Sequence, residues 1–286
     1  GDEKFGLFEG SESRREESRK TKKNTKVHTP TREEVEDHER HHCPFRAWCR
    51  HCVKGRGVNA QHRKKTEEAE EDSVGGGKVP RVSIDYFFLS TKDEEAKDNP
   101  MIGMVDESTG EKYARAAGKK GVGADGEMDW LIIDMVEELK SWGHTGGNSG
   151  HIIMKCDNEN AIKSLRDAVG RLLGGRVIPE NPPKGESQSN GRIEESGKTI
   201  RGFVKVMKSQ IEDKANITIE GKDIITQWMI RWAAMLPSRF LVGKDGKTAY
   251  ERRRGRRCDI PTEILGEKVW YKELKTKTEH RAKLET

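Results

Sequence analysis

Three acidic residues stand where an apolar run meets a turn or a helix start. Asp85 lies inside the run VSIDYFF, Asp157 directly follows HIIMKC, and Glu194 falls in the first turns of the helix-like stretch after SQSNG. A carboxylate inside an apolar strand is costly unless a cation or hydrogen-bond donors meet it, and a metal ion would serve. Asp157 sits where a buried strand ends, the edge of an α/β sheet at which ligand sites collect. Each acid has a plainer use on its own: Asp157 can N-cap the next helix, Asp85 can meet a turn or a buried arginine, and Glu194 can pair with Lys198 at i,i+4. Together they form a candidate catalytic set. Lys198 and Arg201 follow Glu194 by four and seven positions, so they share its helical face, either as contacts to nucleic acid held there or as a solvated basic face.

A second constellation occupies residues 38–52, HERHHCPFRAWCRHC. His38, His42, Cys49 and Cys52 read His-x3-His followed by Cys-x2-Cys, the spacing of paired Zn²⁺ ligands. So short a stretch has little core of its own, and one zinc ion would supply most of its folding energy. His28, His41, Cys43 and His51 remain open as substitute ligands.

The elements that must position these residues follow from periodicity. Residues 81–90 (RVSIDYFFLS) read as a strand, and two shorter strand-like runs, 101–107 and 112–118, flank the turn signal Ser108-Thr109-Gly110, which predicts an antiparallel meander. A helix is expected over 128–142, a buried strand over 151–156, a helix over 161–173 and a brief strand over 176–178. From about Ser189 to Lys214 a long polar helix carries Ile193, Ile200, Val204, Met207 and Ile211 along one side. Strands first and then αβ alternation imply a mixed sheet with helices packed on it.

The spacing and the flanking words carry a resemblance. Between Asp85 and Asp157 lie 71 residues, and between Asp157 and Glu194 lie 36. This layout resembles the Asp, Asp, Glu motif of retroviral and LTR-retrotransposon integrases. CDNEN at 156–160 looks like that family's Asp-Asn segment, and QSNGRIEESGKTIRG at 188–202 looks like the Asn-Gly-x-x-Glu stretch that opens its catalytic helix. LVGKDGKTAYERRRG at 241–255 is similar to the Gly-Lys-Thr-Pro-Tyr-Glu segment of copia-like elements, with Ala249 in place of the proline. The His-His-Cys-Cys unit fits too, with one departure: six residues separate His42 from Cys49, where the retroviral unit has twenty or more, so a compact knuckle is expected in place of a three-helix domain.

The resemblance implies an α/β, ribonuclease-H-like fold with a five-stranded mixed sheet. It implies two Mg²⁺ (or Mn²⁺) ions, with Asp85 bridging both and Asp157 and Glu194 holding one each. The implied activity is DNA 3′-end processing followed by strand transfer, by homo-oligomers that bridge element ends and target DNA in the nucleus. Two other classes share some of these features: a non-catalytic DNA-binding remnant of a transposable element, and a nuclease or resolvase on the same fold.

Composition frames the whole. The chain has 286 residues, 36% of them charged, with a formal net charge of +5. That charge is too mild to decide for nucleic acid by itself, so the local basic runs Lys20–Lys26 and Arg252–Arg257 matter more, as phosphate contacts, as a nuclear address or, equally, as plain solvated charged loops. Five cysteines without a framework point to a reducing compartment. The most apolar stretch, 224–236, carries Gln227 and Arg231 and is too short to span a membrane, so it is read as a core helix. The opening Gly1 suits a fragment or a product cut from a longer polyprotein. The expected units are a disordered charged tail (1–35), a zinc knuckle (36–63), a linker (64–78), a catalytic core (79–240) and a basic extension (241–286).

Overall fold

The computed structural model describes residues 28–57, 79–96, 99–124, 126–145, 151–174, 177–181 and 191–268. The first 27 residues with the Lys20–Lys26 run, the linker, the SQSN word and the last 18 residues lie outside the described residues.

Five strands form one sheet: β1 (Arg81–Phe87), β2 (Met101–Asp106), β3 (Lys112–Ala116), β4 (Ile152–Lys155) and β5 (Val177–Glu180). Their order is β3-β2-β1-β4-β5, with β1–β2 and β2–β3 antiparallel and β1–β4 and β4–β5 parallel. This is the meander followed by αβ alternation that the pattern implied, and it is the ribonuclease-H-like arrangement. Every residue of β2 is buried, as a central strand covered on both faces requires. β5 contains Pro179, which an edge strand tolerates because one row of its backbone groups faces away from the ladder.

Alternation in β1 divides the core in two. Val82, Ile84 and Tyr86 pack with Ile102 and Met104 against α4 (Asp129–Ser141) and α5 (Asn160–Leu173). Phe87 turns to the other face and packs with Met101, Phe203, Val204 and Met229 on α6 (Gly191–Ala215) and α7 (Ile224–Phe240). The result is three layers, helices on both sides of the sheet. A short helix, α3 (Thr91–Ala96), follows β1, and α8 (Ala249–Arg254) opens with a Thr248/Glu251 capping box.

The N-terminal segment forms α1 (Arg32–His41) and α2 (Arg50–Arg56). α1 begins on a Thr31/Glu34 capping box, inside the stretch expected to be tail. α2 lies against α6, and the approach is close because both helices present glycine there. A Cβ on Gly55 would sit 2.6 Å from Val206 Cγ2, 2.7 Å from the Val206 backbone nitrogen and 2.9 Å from the Gly202 carbonyl oxygen. Gly55→Ala should therefore destabilise the protein by roughly 1–3 kcal/mol through overpacking, against the ~1 kcal/mol that alanine would return in helix propensity. At Gly202 a Cβ would meet Arg56 Cγ at 3.0 Å and the Gly55 carbonyl oxygen at 3.6 Å, a milder crowding, so Gly202→Ala should cost less than Gly55→Ala. Equal melting temperatures for the parent and Gly55→Ala would contradict this packing.

Two sequence expectations change. The helix read as polar with one apolar side is buried along two, because Gly202, Val206, Ser209 and Gln210 form a further stripe that meets the N-terminal segment. The run Arg252–Arg257, read as a phosphate contact or an address signal, is partly structural. Arg252 bonds the Asp245 carboxylate and the Thr109 carbonyl, Arg253 pairs with buried Glu111 at 2.7 Å, and Arg256 pairs with Asp259. These contacts fasten the segment after α7 to the β2–β3 turn. Among the described residues, no helix is long and apolar enough to cross a membrane.

Candidate metal centres

β1 and β4 run parallel with Ser83 opposite Lys155. Asp157 follows the end of β4 by two residues, as Asp85 follows Ser83 in β1, so continuing that register carries Asp157 to the side of Asp85, whose carboxyl feels its charge. Asp85 shares its strand face with Phe87, and Phe87 packs against α6 near Gly197. Glu194 lies in the first turn of α6, next to Ile193, whose Cδ1 lies 3.7 Å from where a Cβ would stand on Gly103, the cross-strand neighbour of Asp85. The fold thus brings the two aspartates together and carries Glu194 on the helix packed over the same face. Glu194 and Asp157 are exposed and Asp85 is half-buried. Among the described residues, the three carboxylates do not converge into a set with donor atoms all within 4.8 Å.

Electrostatics ties the aspartates to each other. Burial pushes the Asp85 carboxyl up to about 6, and the negative charge of Asp157 adds to the rise; the Tyr86 N–H, donating to Asp85 Oδ1 at 2.8 Å, and the charge of Lys120 oppose it. No arginine or lysine forms an ion pair with Asp85, Asp157 or Glu194 among the described residues. Hard carboxylate oxygens from separate elements, with unneutralised like charge between two of them, fit a Mg²⁺-type ion.

The shift has a definite sign. Between about pH 4 and 6 the folded chain keeps a proton on Asp85 that the unfolded chain has released, so the stability of the metal-free protein falls as pH rises through that window. Asp85→Asn should raise metal-free stability at pH 7.5 by on the order of 1–2 kcal/mol and change nothing at pH 4. Mg²⁺ should raise the melting temperature of the parent and leave the variant unmoved. Thermal melts at the two pH values, with and without Mg²⁺, check both statements.

Asp157 does not cap the next helix: α5 starts from Glu159, and Asp157 Oδ1 accepts instead from Asn158 N at 2.6 Å. Asn181, at the end of β5, donates to the Cys156 and Asp157 carbonyls at 3.3 and 3.1 Å, and buried Arg166 donates to Asn181 Oδ1 at 2.9 Å. These two residues brace the strand end that carries Asp157. Lys120 was also missed by sequence reasoning. Its Nζ bonds both Glu159 oxygens and lies 5.3 Å from the Tyr86 ring centroid, in a loop tied to β1 by Gly121 N–H donating to the Tyr86 hydroxyl. The signal was the glycine-punctuated GKKGVG after the third strand. On α6, Lys198 is exposed, and the Arg201 guanidinium lies 5.8 Å from the Phe87 ring centroid.

The second centre is more enclosed. His38, His42, Cys49 and Cys52 are all buried, with one donor atom from each lying within 4.8 Å of the others. His38 Nε2 is 3.3 Å from Cys52 Sγ, and His42 Nδ1 is 3.6 Å from Cys49 Sγ and 3.7 Å from Cys52 Sγ. A tetrahedral zinc with bonds of about 2.3 Å to sulfur and about 2.0–2.1 Å to nitrogen places such N and S atoms roughly 3.6 Å apart, so the donors fit that ion. Hydrogen bonding from Cys52 holds Cys49 well below the ordinary thiol range, and the same bond raises Cys52.

The alternative ligands are engaged elsewhere. His28 bonds Glu34, His41 stacks on Phe240 at 4.7 Å, and His51 lies 3.2 Å from Ser209 Oγ. Cys43 joins the core beside α7, where burial pushes its thiol up to about 12.

No protein-family model and no curated protein matches the chain. Solved structures do match, among them an intasome chain and retroviral integrase catalytic cores. One is a chain of the simian T-cell lymphotropic virus intasome, solved in complex with a PP2A regulatory subunit: 14% identity, TM-score 0.38, covering 69% of this chain and 64% of that one. Two are HTLV-2 integrase catalytic cores in complex with magnesium. The dimeric form shows 13% identity, a TM-score of 0.41 and coverage of 62% of this chain and 98% of that one; the trimeric form shows 14%, 0.42, 63% and 100%. This chain therefore spans less than two thirds of the length of the intasome chain it matches. At this identity the likeness concerns the fold alone, and the fold is read above from strand order and direction.

Proposed function

We propose that this chain is a retrotransposon integrase of the copia-like type, a metal-dependent polynucleotidyl transferase that processes DNA 3′ ends and joins them to target DNA. The observation that carries the reading is the pair Asp85 and Asp157, set side by side at the ends of parallel β1 and β4, with α6 and Glu194 packed over the same face. Two Mg²⁺ or Mn²⁺ ions, when bound, supply Lewis-acid activation of the attacking oxygen and stabilise the leaving oxygen of a phosphodiester. Asp85 would hold both ions, and Asp157 and Glu194 one each. Lys198 and Arg201, four and seven residues along α6, hold phosphates and fix the register of the DNA without reading its sequence. Asn181 and Arg166 keep the Asp157 strand end in place. His38, His42, Cys49 and Cys52 would hold one zinc ion with a structural role. Oligomers that bridge two DNA ends in the nucleus complete the proposal; the HTLV-2 cores were solved in dimeric and trimeric forms.

The test is joining of labelled duplex oligonucleotides to a plasmid with Mg²⁺ or Mn²⁺. Joined product supports the proposal. Cutting without joining overturns it in favour of a nuclease, and DNA binding with neither reaction overturns it in favour of a non-catalytic remnant.

A further inference from the structure

We infer that Gln210 is a positioning residue of the zinc centre, so that the core helix α6, and not the Cys/His segment alone, completes that centre. The inference rests on the zinc reading given above, and its physical basis is the orientation of His42. The Nδ1 atom of His42 faces both cysteine sulfurs, so Nδ1 is the nitrogen that meets the ion, and a neutral imidazole ligand must then carry its proton on Nε2. That Nε2 lies 3.1 Å from Gln210 Oε1. The orientation of the Gln210 amide is set from its other end, because Gln210 Nε2 donates to the Glu39 carbonyl oxygen at 3.3 Å and only the NH₂ group can do so. The His42 N–H therefore donates to an amide oxygen. Both side chains are buried, His42 at 1% and Gln210 at 7% relative exposure, so no water substitutes for the bond at low cost.

Gln210 stands 168 positions from His42 in the chain. It also stands sixteen residues beyond Glu194 on the same helix, about 24 Å along its axis. One turn of α6 thus serves the zinc centre while the helix start carries the third carboxylate. Partners that orient a ligating histidine in this way typically contribute 10–100-fold to metal affinity.

The experiment uses the full chain and zinc alone, without DNA, so its outcome is independent of the joining reaction. Zinc affinity is measured by competition with a chromophoric chelator for the parent, Gln210→Leu, Gln210→Glu and Ser209→Ala. Gln210→Leu should bind zinc 10–100-fold more weakly, while Gln210→Glu, which keeps an acceptor for the His42 N–H, should stay within a few-fold of the parent. Ser209→Ala also loses a contact to the N-terminal segment, but one to His51, which is not among the four converging donors, and should stay within about twofold of the parent. Gln210→Leu binding as tightly as the parent would overturn the inference. So would equal losses in Gln210→Leu and Ser209→Ala, which would mean that helix docking and not ligand alignment is at stake. A parent that holds no zinc would overturn the zinc centre itself.

Discussion

If the four Cys/His donors hold zinc as proposed, removing it with a strong chelator is expected to unfold residues 28–57 as a unit while the five-stranded sheet persists. The segment has four buried donors and two short helices, and α2 is a single seven-residue helix with no side-chain N-cap. Isolated helices of that length are unstable in water. Structural zinc sites contribute about 10–16 kcal/mol of apparent binding free energy at neutral pH, more than packing of α2 on α6 can replace. Hydrogen exchange is the measurement. Amides of α1 and α2 should lose protection on chelation, and so should those of α6 around Val206 and Gln210, whose outer face the segment covers. Amides of β1, β2 and α4 should keep theirs. Retained protection in α1 and α2 after complete zinc removal would mean that the segment is held by packing alone.

The second large effect concerns the carboxylates. Asp157→Asn and Glu194→Gln each remove a carboxylate charge at nearly constant shape; under the proposed function each should lower the joining rate by about a thousandfold or more, equivalent to roughly 4 kcal/mol of transition-state stabilisation. DNA affinity should change little, because electrostatic contacts to phosphates elsewhere supply most of it. Lys198→Ala should show the opposite pattern. Lys198 is exposed on α6, so its loss should weaken DNA binding several-fold at low salt and reduce the salt-dependence slope by about one, with a small effect on the joining rate at saturating DNA. Rates and anisotropy titrations across a salt series separate the two behaviours. A Glu194→Gln protein that joins DNA at the parental rate would remove Glu194 from the site.

The parts legible in the sequence were those governed by period and by local chemistry. Apolar runs, periodic patterns and turn signals located the five strands of the described sheet and helices α4 to α7, and the strand-end position of Asp157 followed from HIIMKC. The four Cys/His donors could be quoted from spacing alone, and they are the four that converge. What the sequence hid was tertiary. The second buried stripe of α6 consists of glycine, serine and glutamine around a single valine, too little for a hydrophobic pattern to register, yet Gly202 permits the helix contact and Gln210 satisfies a histidine. Arg252 and Arg253 read as a basic run because their partners, Asp245 and Glu111, are either a local turn or far away in the chain. Lys120 and Asn181 sit in loops whose approach to Asp85 and Asp157 depends on strand order, which no local pattern encodes.

If Asp85 and Asp157 hold a divalent ion between the ends of β1 and β4 as proposed, anomalous diffraction from crystals of the full chain grown with Mn²⁺ should show it. A peak bridging one Asp85 oxygen and one Asp157 oxygen, absent from Asp85→Asn crystals, is the predicted result; Mn²⁺ bound elsewhere with these two carboxylates unligated would contradict it.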